Sequence, residues 1–573
     1  MRKIKIEFGV IQRFWSVAKL YWWESPEKWR AIGLLILLIF LVSIESNIKV
    51  TQNRQQGEFV SALAGQDADR FWQAVLIYIV ACIVLALTVA SWHYLQDKIR
   101  LYSRDWLTKY YLDKYFQDDK FYKIDSFNLE IDNPDQRIAE DIKEFCHRCV
   151  TVFTQWTRAI FNIIAFGIVL WSKSKLFVLA LVIYSLGGML ITTVVFGKIL
   201  IPLKKEQLKR EANFRFGLVR IRENSESIAF YHGTNREYAH LLRIFGPVLS
   251  IYNKVIGWER NLLVFSNIYQ YITWVLPALI IGPKVLAGET DVGVLTETGG
   301  AFISVFNSLT ILVNMFEYLT NFVAGIERLE SFGKALEEPE ALATEEDPTI
   351  DTVEYSGLSL ENLTLQTPNY QRTLVKDLSV GVQPREGLLI VGVSGCGKSS
   401  ILRAIAGLWN SGKGTIYRPK LEEILFLPQR PYMILGSLRD QLLYPRTDLN
   451  ISAEEIYRVL EEVNLPNLAE RFGGLDAVED WDRLLSMGEQ QRLAFARLLL
   501  TQPRYAILDE ATSALDVKNE QSLYKHLEEM STTYISVGHR PTLLKYHHQV
   551  LEVIGDEAWR VSSARDYNFL PSD

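Results

Sequence analysis

The stretch Gly392-Val393-Ser394-Gly395-Cys396-Gly397-Lys398-Ser399 fits G-x-x-x-x-G-K-[ST], a pattern that cradles phosphates. Its glycines let backbone N–H groups crowd around a polyphosphate at a helix N-terminus, where the helix dipole favours negative charge. Lys398 adds a point charge and Ser399 a hydroxyl ligand for Mg²⁺. The flanks supply the context this chemistry needs. Gly387–Val391 reads as a short buried strand, and Ser400–Ala406 as a helix closed by Gly407. Gly392, Ser394, Gly395, Cys396, Gly397, Lys398, Ser399 and Ser400 are therefore assigned to nucleotide binding. A glycine turn carrying a surface lysine is the competing reading, and the residues downstream weigh against it. Tyr505-Ala506-Ile507-Leu508-Asp509-Glu510 is an apolar strand ending in two carboxylates. Asp509 suits the water shell of a metal, and Glu510 suits the polarisation of an attacking water.

Between these two strings lies Leu485-Ser486-Met487-Gly488-Glu489-Gln490-Gln491-Arg492, which resembles the signature loop of ATP-binding cassette proteins. That resemblance implies that Ser486 and Gly488, with Glu489 beside them, bind the γ-phosphate of a nucleotide held by a second copy. It also orders the remaining motifs. Gln429 in Leu427-Pro428-Gln429-Arg430-Pro431-Tyr432 resembles the Q-loop, placed to contact nucleotide and metal. Ser513-Ala514-Leu515-Asp516 resembles the D-loop, and His539 in Val537-Gly538-His539-Arg540 the switch histidine. Where the family places an aromatic side chain against adenine, this sequence has Thr367, and Tyr370 is the substitute candidate. Transfer of a phosphoryl group to water is mostly positioning and neutralisation of spreading charge. The expected set is therefore ATP with Mg²⁺, Glu510 and His539 as catalytic groups, and Ser399, Gln429 and Asp509 around the metal.

Elements upstream must position and use this machinery. The chain is 573 residues, 49% hydrophobic and 22% charged, too apolar for one soluble globule and too polar for an all-membrane protein. Two unlike halves account for that balance. Six apolar runs, Ala31–Ile44, Phe71–Ala90, Val150–Trp171, Leu176–Leu200, Leu262–Leu286 and Ala301–Gly325, approach the ~20 residues that span a bilayer as a helix. Lys and Arg cluster before the first run (Arg13, Lys19, Lys28, Arg30) and after the fourth (Lys204, Lys205, Lys209, Arg210, Arg215). The segment after the first run instead carries Glu45, Glu58, Asp67 and Asp69. Both basic regions, and with them the cassette, belong on the cytoplasmic side.

The sequence thus predicts an interfacial helix at 1–30 and a six-helix membrane domain at 31–332, its helices extended into the cytoplasm. An acidic linker follows at 333–353, and an α/β P-loop cassette occupies 354–573. Residues 96–149 and 201–260, poor in Gly and Pro, are the expected extensions. Within them, Asp132-Asn133-Pro134-Asp135-Gln136-Arg137-Ile138 with Glu140-Asp141, and Glu211–Arg215 with Arg222–Tyr231, resemble subfamily D transporters and their bacterial relatives. That branch includes peroxisomal acyl-CoA and lysosomal cobalamin carriers; the bacterial members have a membrane domain similar to the SbmA/BacA peptide transporters.

The resemblance implies an exporter-like homodimeric ATPase in a lipid bilayer, expected in a bacterial inner membrane. By the same resemblance the expected cargo is cobalamin or another hydrophilic compound, with fatty acid, acyl-CoA or peptide as alternatives and a nucleotide-gated pore or sensor as a further one. A net charge of −6 gives no footprint for nucleic acid. Cys146-His147-Arg148-Cys149 lacks the second ligand pair of a zinc site and reads as helix surface. Arg158 and Glu317 fall inside apolar runs, where ionisable groups face a wet cavity, a partner, or the interface by snorkelling.

Overall fold

The computed structural model describes residues 8–127, 131, 133–173, 175–314, 316–337, 348–446 and 448–569. It divides into two compact units, residues 1–118 with 131–337, and residues 119–130 with 338–573. The short segment 119–130 thus leaves the expected membrane half. Asp118 and Asp119, both with left-handed φ, end the preceding helix, and Lys120–Phe127 is a separate helix. The expected linker 333–353 also begins later, because the helix Phe316–Glu337 runs through its first residues. Glu338 to Asp347 lie outside the described residues.

The first unit is helical. Among the described residues, five helical stretches are long and apolar enough to cross a membrane: Lys28–Ala64, Ala68–Ser126, Pro134–Lys173, Phe177–Glu223 and Thr234–Leu286. The sixth apolar run falls on the helices Val292–Asn314 and Phe316–Glu337, which are not among these five. Several of these helices far exceed a bilayer. Ala68–Phe116 has 49 residues, which at ~1.5 Å per residue is roughly 70 Å. Large side chains such as Ile36, Phe40, Trp72, Ile83 and Leu87 are exposed, as expected of a surface solvated by lipid.

Apolar packing joins these helices away from lipid. Phe166, Leu170, Phe177, Leu181, Phe302 and Phe306 form one buried cluster, and Leu38, Val42, Trp92, Ile99 and Val150 another. At Gly57 and Gly293 two backbones touch: a Cβ on Gly57 would stand 2.7 Å from the Gly293 carbonyl oxygen. Small residues permit such crossings where lipid provides no hydrophobic drive between helices.

The subfamily-like string at Asn133–Asp141 acquires a physical reason here. Asn133 (φ 44°) starts a turn at Pro134, and Arg137, buried, donates to the Arg328 carbonyl at 2.6 Å and to Ser331 Oγ at 2.9 Å. Arg328 in turn pairs with Asp141 at 2.9 Å. The string therefore holds the helix Phe316–Glu337 from the side. Asp132 lies outside the described residues.

The second unit is an α/β domain with two sheets. Its strands are β1 (Asp351–Glu354), β2 (Leu358–Gln366), β3 (Thr373–Val382), β4 (Gly387–Gly392), β5 (Gly412–Arg418), β6 (Ile424–Leu427), β7 (Tyr505–Asp509), β8 (Thr533–Val537), β9 (Gln549–Gly555) and β10 (Ala558–Ser563). One sheet runs β1-β5-β2-β3, the other β10-β9-β4-β8-β7-β6. In the larger sheet every pair from β9 to β6 is parallel and only β10 is antiparallel.

Parallel strands are covered on both faces, and their side chains alternate between two cores. Leu388 and Ile390 of β4 join Ile401, Leu402 and Ile405 and the inner face of the small sheet. Leu389 and Val391 join the helix Met487–Thr501 through Leu493, Leu498 and their neighbours.

Candidate nucleotide site

The order β4-β8-β7-β6 in a parallel sheet puts four carboxyl ends side by side along one edge. Loops at such an edge are where open α/β sheets bind ligands. Off β4 comes Gly392–Ser399; off β8, His539; off β7, Asp509 and Glu510; off β6, Gln429. Motifs far apart in the chain thereby become neighbours.

The phosphate loop depends on its glycines. Gly392, Gly395 and Gly397 have φ of 148°, 80° and 107°, a region closed to most side chains. A Cβ on Gly392 would lie 2.2 Å from the Val553 carbonyl oxygen of β9, so no other residue fits there. Gly397 starts the helix Lys398–Ile405. Lys398 Nζ donates to the Gly392 and Val393 carbonyls, each at 2.9 Å, which folds the ammonium over the loop. Ser394 and Gly395 are exposed, Ser400 half-buried and Cys396 buried.

Two hydrogen bonds bring together the residues expected to serve hydrolysis. Ser399 Oγ donates to Asp509 Oδ1 at 3.2 Å, and Gln429 Nε2 donates to Glu510 Oε2 at 2.8 Å. A hydroxyl, a carboxylate and an amide oxygen are hard donors that suit Mg²⁺ alongside phosphate oxygens. Burial pushes the Asp509 carboxyl above its ordinary range, with Glu510 adding to the rise, while Ser399, Arg403 and Lys398 oppose it. Glu510 stands at φ 47°, and its N–H reaches the Val537 carbonyl at 3.2 Å. A left-handed glutamate costs on the order of 1–2 kcal/mol, and the turn points the chain off the end of β7 towards Gln429. His539 is exposed directly after β8.

The signature string folds as a capped helix. Ser486 is the N-cap of Met487–Thr501 in a reciprocal capping box with Glu489. Both Glu489 oxygens are engaged within the chain, one by Ser486 and the other by Arg471 at 2.6 Å. Burial raises the Glu489 carboxyl, but the hydrogen bonds from Arg471 and Ser486 outweigh it and leave it below the usual range. Glu489 thus builds the loop and keeps its carboxylate turned inward, while Ser486 is exposed and Gly488 half-buried. Asp516, also exposed, caps the helix Val517–Glu529 by accepting from the Asn519 N–H at 2.9 Å. Tyr370 sits half-buried at φ 55° in the loop after β2, its N–H bonded to the Thr367 carbonyl.

Some residues with evident work here carried no signal in the sequence. Arg540 donates to the carbonyls of Leu515 (2.7 Å) and Ser513 (3.0 Å), tying the segment after His539 to Ser513–Asp516. Glu520, 1% exposed, accepts from Thr512 and Thr542 and so closes that clamp. Arg497, buried, donates to the Gln441 and Tyr432 carbonyls, and burial lowers its guanidinium to about 10. No local pattern distinguishes these from ordinary helix and loop residues.

The comparisons with known proteins agree with this geometry. Residues 23–286 match the family ABC transporter transmembrane region 2, and residues 375–513 match the family ABC transporter. An uncharacterized ABC transporter ATP-binding protein of Synechocystis is 43% identical over 93% of this chain and 82% of its own length. The chain belongs to the ABC transporters of the D subfamily. Arabidopsis thaliana D family member 2, chloroplastic, is 36% identical to this transporter over 95% of the chain and 86% of its own. The lysosomal cobalamin transporter of Mus musculus is 30% identical over 97% of each.

In the transporter's membrane unit, Arg158 finds a partner the sequence did not suggest. Glu45, expected after the first span, lies well inside the helix Lys28–Ala64 and is 2% exposed. Its Oε1 meets Arg158 at 2.9 Å and Lys49 at 2.5 Å, and the Arg158 guanidinium lies 4.8 Å from the Trp92 ring. The Glu317 side chain lies outside the described residues. Thus one of the two charges assigned to a polar cavity is placed, and it is paired.

Cys396 offers a test of the loop. Buried at 5% exposure, it packs where a Cβ on Gly392 would come within 2.9 Å of its Sγ. A maleimide should react slowly with the native transporter, and the alkylated protein should lose ATP binding. Normal ATP binding by protein shown by mass spectrometry to be alkylated at Cys396 counts against this packing.

Proposed function

We propose that the transporter is a homodimer that couples ATP hydrolysis to solute movement by alternating access. The observation that carries this reading is the gathering of Lys398, Ser399, Asp509, Glu510 and Gln429 at one sheet edge, while Ser486 stands exposed at the start of another helix. Lys398 and the loop N–H groups hold the β- and γ-phosphates. Ser399, Asp509 and Gln429 take up Mg²⁺, which when bound neutralises the phosphate charge. Glu510 accepts a proton from the attacking water, and His539 steadies the γ-phosphate. Ser486 and Gly488 close the nucleotide of the second copy, so each chain completes its partner's site. Tyr370 stacks on adenine, and Glu489 and Asp516 shape the loops around it.

Closure of the two cassettes drives six membrane spans per chain, with Val292–Asn314 opening the last. A polar cavity in the bilayer, to which Arg158 and Glu317 contribute, takes the substrate. The cassette and both termini face the cytoplasm of a bacterial inner membrane. The cobalamin transporter among the relatives favours cobalamin or another hydrophilic solute as cargo; fatty acids, acyl-CoA and peptides stand as alternatives.

The test is ATPase activity in liposomes or nanodiscs holding either one copy or two. Activity should require two copies, and a panel of cobalamin, acyl-CoA, fatty acids and peptides should show which compounds stimulate it. Equal turnover from single copies overturns the reading.

A further inference from the structure

Gln491 is 1% exposed in the second turn of the helix Met487–Thr501, and every polar atom of its side chain is used. Its Nε2 donates to the Gln429 carbonyl at 3.0 Å and to Ser513 Oγ at 3.2 Å, and its Oε1 accepts the Ala514 N–H at 3.0 Å. One amide thus grips the loop that carries Gln429 and the loop that carries Ser513–Asp516. Gln429 itself bonds Glu510 at 2.8 Å. From Ser486 at the helix start, a continuous line of contacts runs through the first turns to Gln491, then to Gln429 and Glu510. Gly488 braces the same line, since a Cβ there would meet the Ala514 carbonyl at 3.3 Å.

A buried glutamine is a costly filler for a helix face when leucine would pack there, so its satisfied amide points to specificity of arrangement. A rigid helix with a two-armed pin at its second turn moves both loops when its N-terminus moves. We infer that Gln491 is the positioning residue that couples nucleotide contact at Ser486 to the placement of Glu510 in its own chain. Rested on the homodimer proposed above, this makes Gln491 the link between the two ATP sites. The partner's nucleotide pulls on Ser486, and Gln491 passes the shift to Gln429 and to the Ser513–Asp516 loop.

The test uses the full transporter in liposomes, with ATP as the probe. Hydrolysis is followed against ATP concentration for the wild type, Gln491→Leu and Gln491→Glu. Leucine removes both arms, whereas glutamate keeps an acceptor for the Ala514 N–H but cannot donate to the Gln429 carbonyl. The wild type should show a Hill coefficient well above one, as two coupled sites require. Both variants should fall to a Hill coefficient near one and lose about tenfold in kcat with half-saturating ATP nearly unchanged.

Cooperativity that survives in the variants overturns the inference. So does a half-saturating ATP that rises in step with the loss of kcat, which marks a lost nucleotide contact and not a lost coupling. If the leucine variant fails to assemble, the glutamate variant alone decides by the same criteria. A wild type without cooperativity overturns the coupling before any variant is made, and activity from single copies counts against the homodimer itself.

Discussion

Glu510→Gln should leave ATP binding intact and remove steady-state hydrolysis. Glutamine matches glutamate in size and can still bond Gln429, which holds Glu510 Oε2 at 2.8 Å, so the turn after β7 has no reason to move. What disappears is the proposed proton acceptor. A positioned general base contributes roughly 10²–10⁴ in rate, or about 3–5 kcal/mol of barrier. Because binding rests on Lys398 and the glycine loop, the variant should collect as a nucleotide-bound dimer. Lys398→Ala should fail one step earlier, at binding. The measurement is phosphate release together with ATP retained after gel filtration. Turnover within a few-fold of wild type in Glu510→Gln would remove Glu510 from the role of base.

The contrast between these variants follows from where each residue sits on the sheet edge, and much of that edge was legible beforehand. The strand-loop-helix around Gly392–Ser399 was legible because its pattern sits between an apolar strand and a helix, and the left-handed φ of its three glycines weighs against the competing glycine turn. The end of β7 was legible for a similar reason, an apolar run stopping at two carboxylates. What the chain could not disclose is adjacency. That β8 lies between β4 and β7, bringing His539 between the phosphate loop and Glu510, is a matter of strand order and leaves no local trace.

Gln491 shows the same limit from the other side. It stood in the signature string, but its role depends on two loops that reach it from positions 429 and 513–514. The Glu489 carboxylate, read as a nucleotide contact, is turned inward by Arg471, eighteen residues upstream and invisible to any motif. In the membrane unit, five of the six apolar runs fall on helices long and apolar enough to cross a membrane, but the first run was cut short. Glu45 and Lys49 ended the apolar run at Ile44, although the helix continues to Ala64. A window of apolar residues cannot anticipate that a carboxylate and an ammonium one turn apart will satisfy each other inside a helix.

That misplaced boundary leads to the second large effect, at Arg158. Arg158→Leu should destabilise the membrane unit by about 1–3 kcal/mol, less than the loss of a partner that leaves a buried charge wholly unpaired, because Arg158 is 24% exposed and Lys49 stays on Glu45. The cause is what stays behind. Glu45 is 2% exposed and would keep only Lys49, while the guanidinium face beside Trp92 is lost to an apolar chain. Replacing both partners removes the half-paired carboxylate, so Glu45→Gln combined with Arg158→Leu should recover most of the loss in thermal unfolding of the purified transporter. A single variant as stable as the wild type would show that the pair is already solvated and energetically idle. The double variant then separates structure from transport. With stability restored, a transporter that still moves its substrate has used the pair only to fasten the helices Lys28–Ala64 and Ile142–Lys173 together. One that folds but no longer moves substrate has lost part of the polar path itself, since ionisable groups are retained at such depth where they meet something polar.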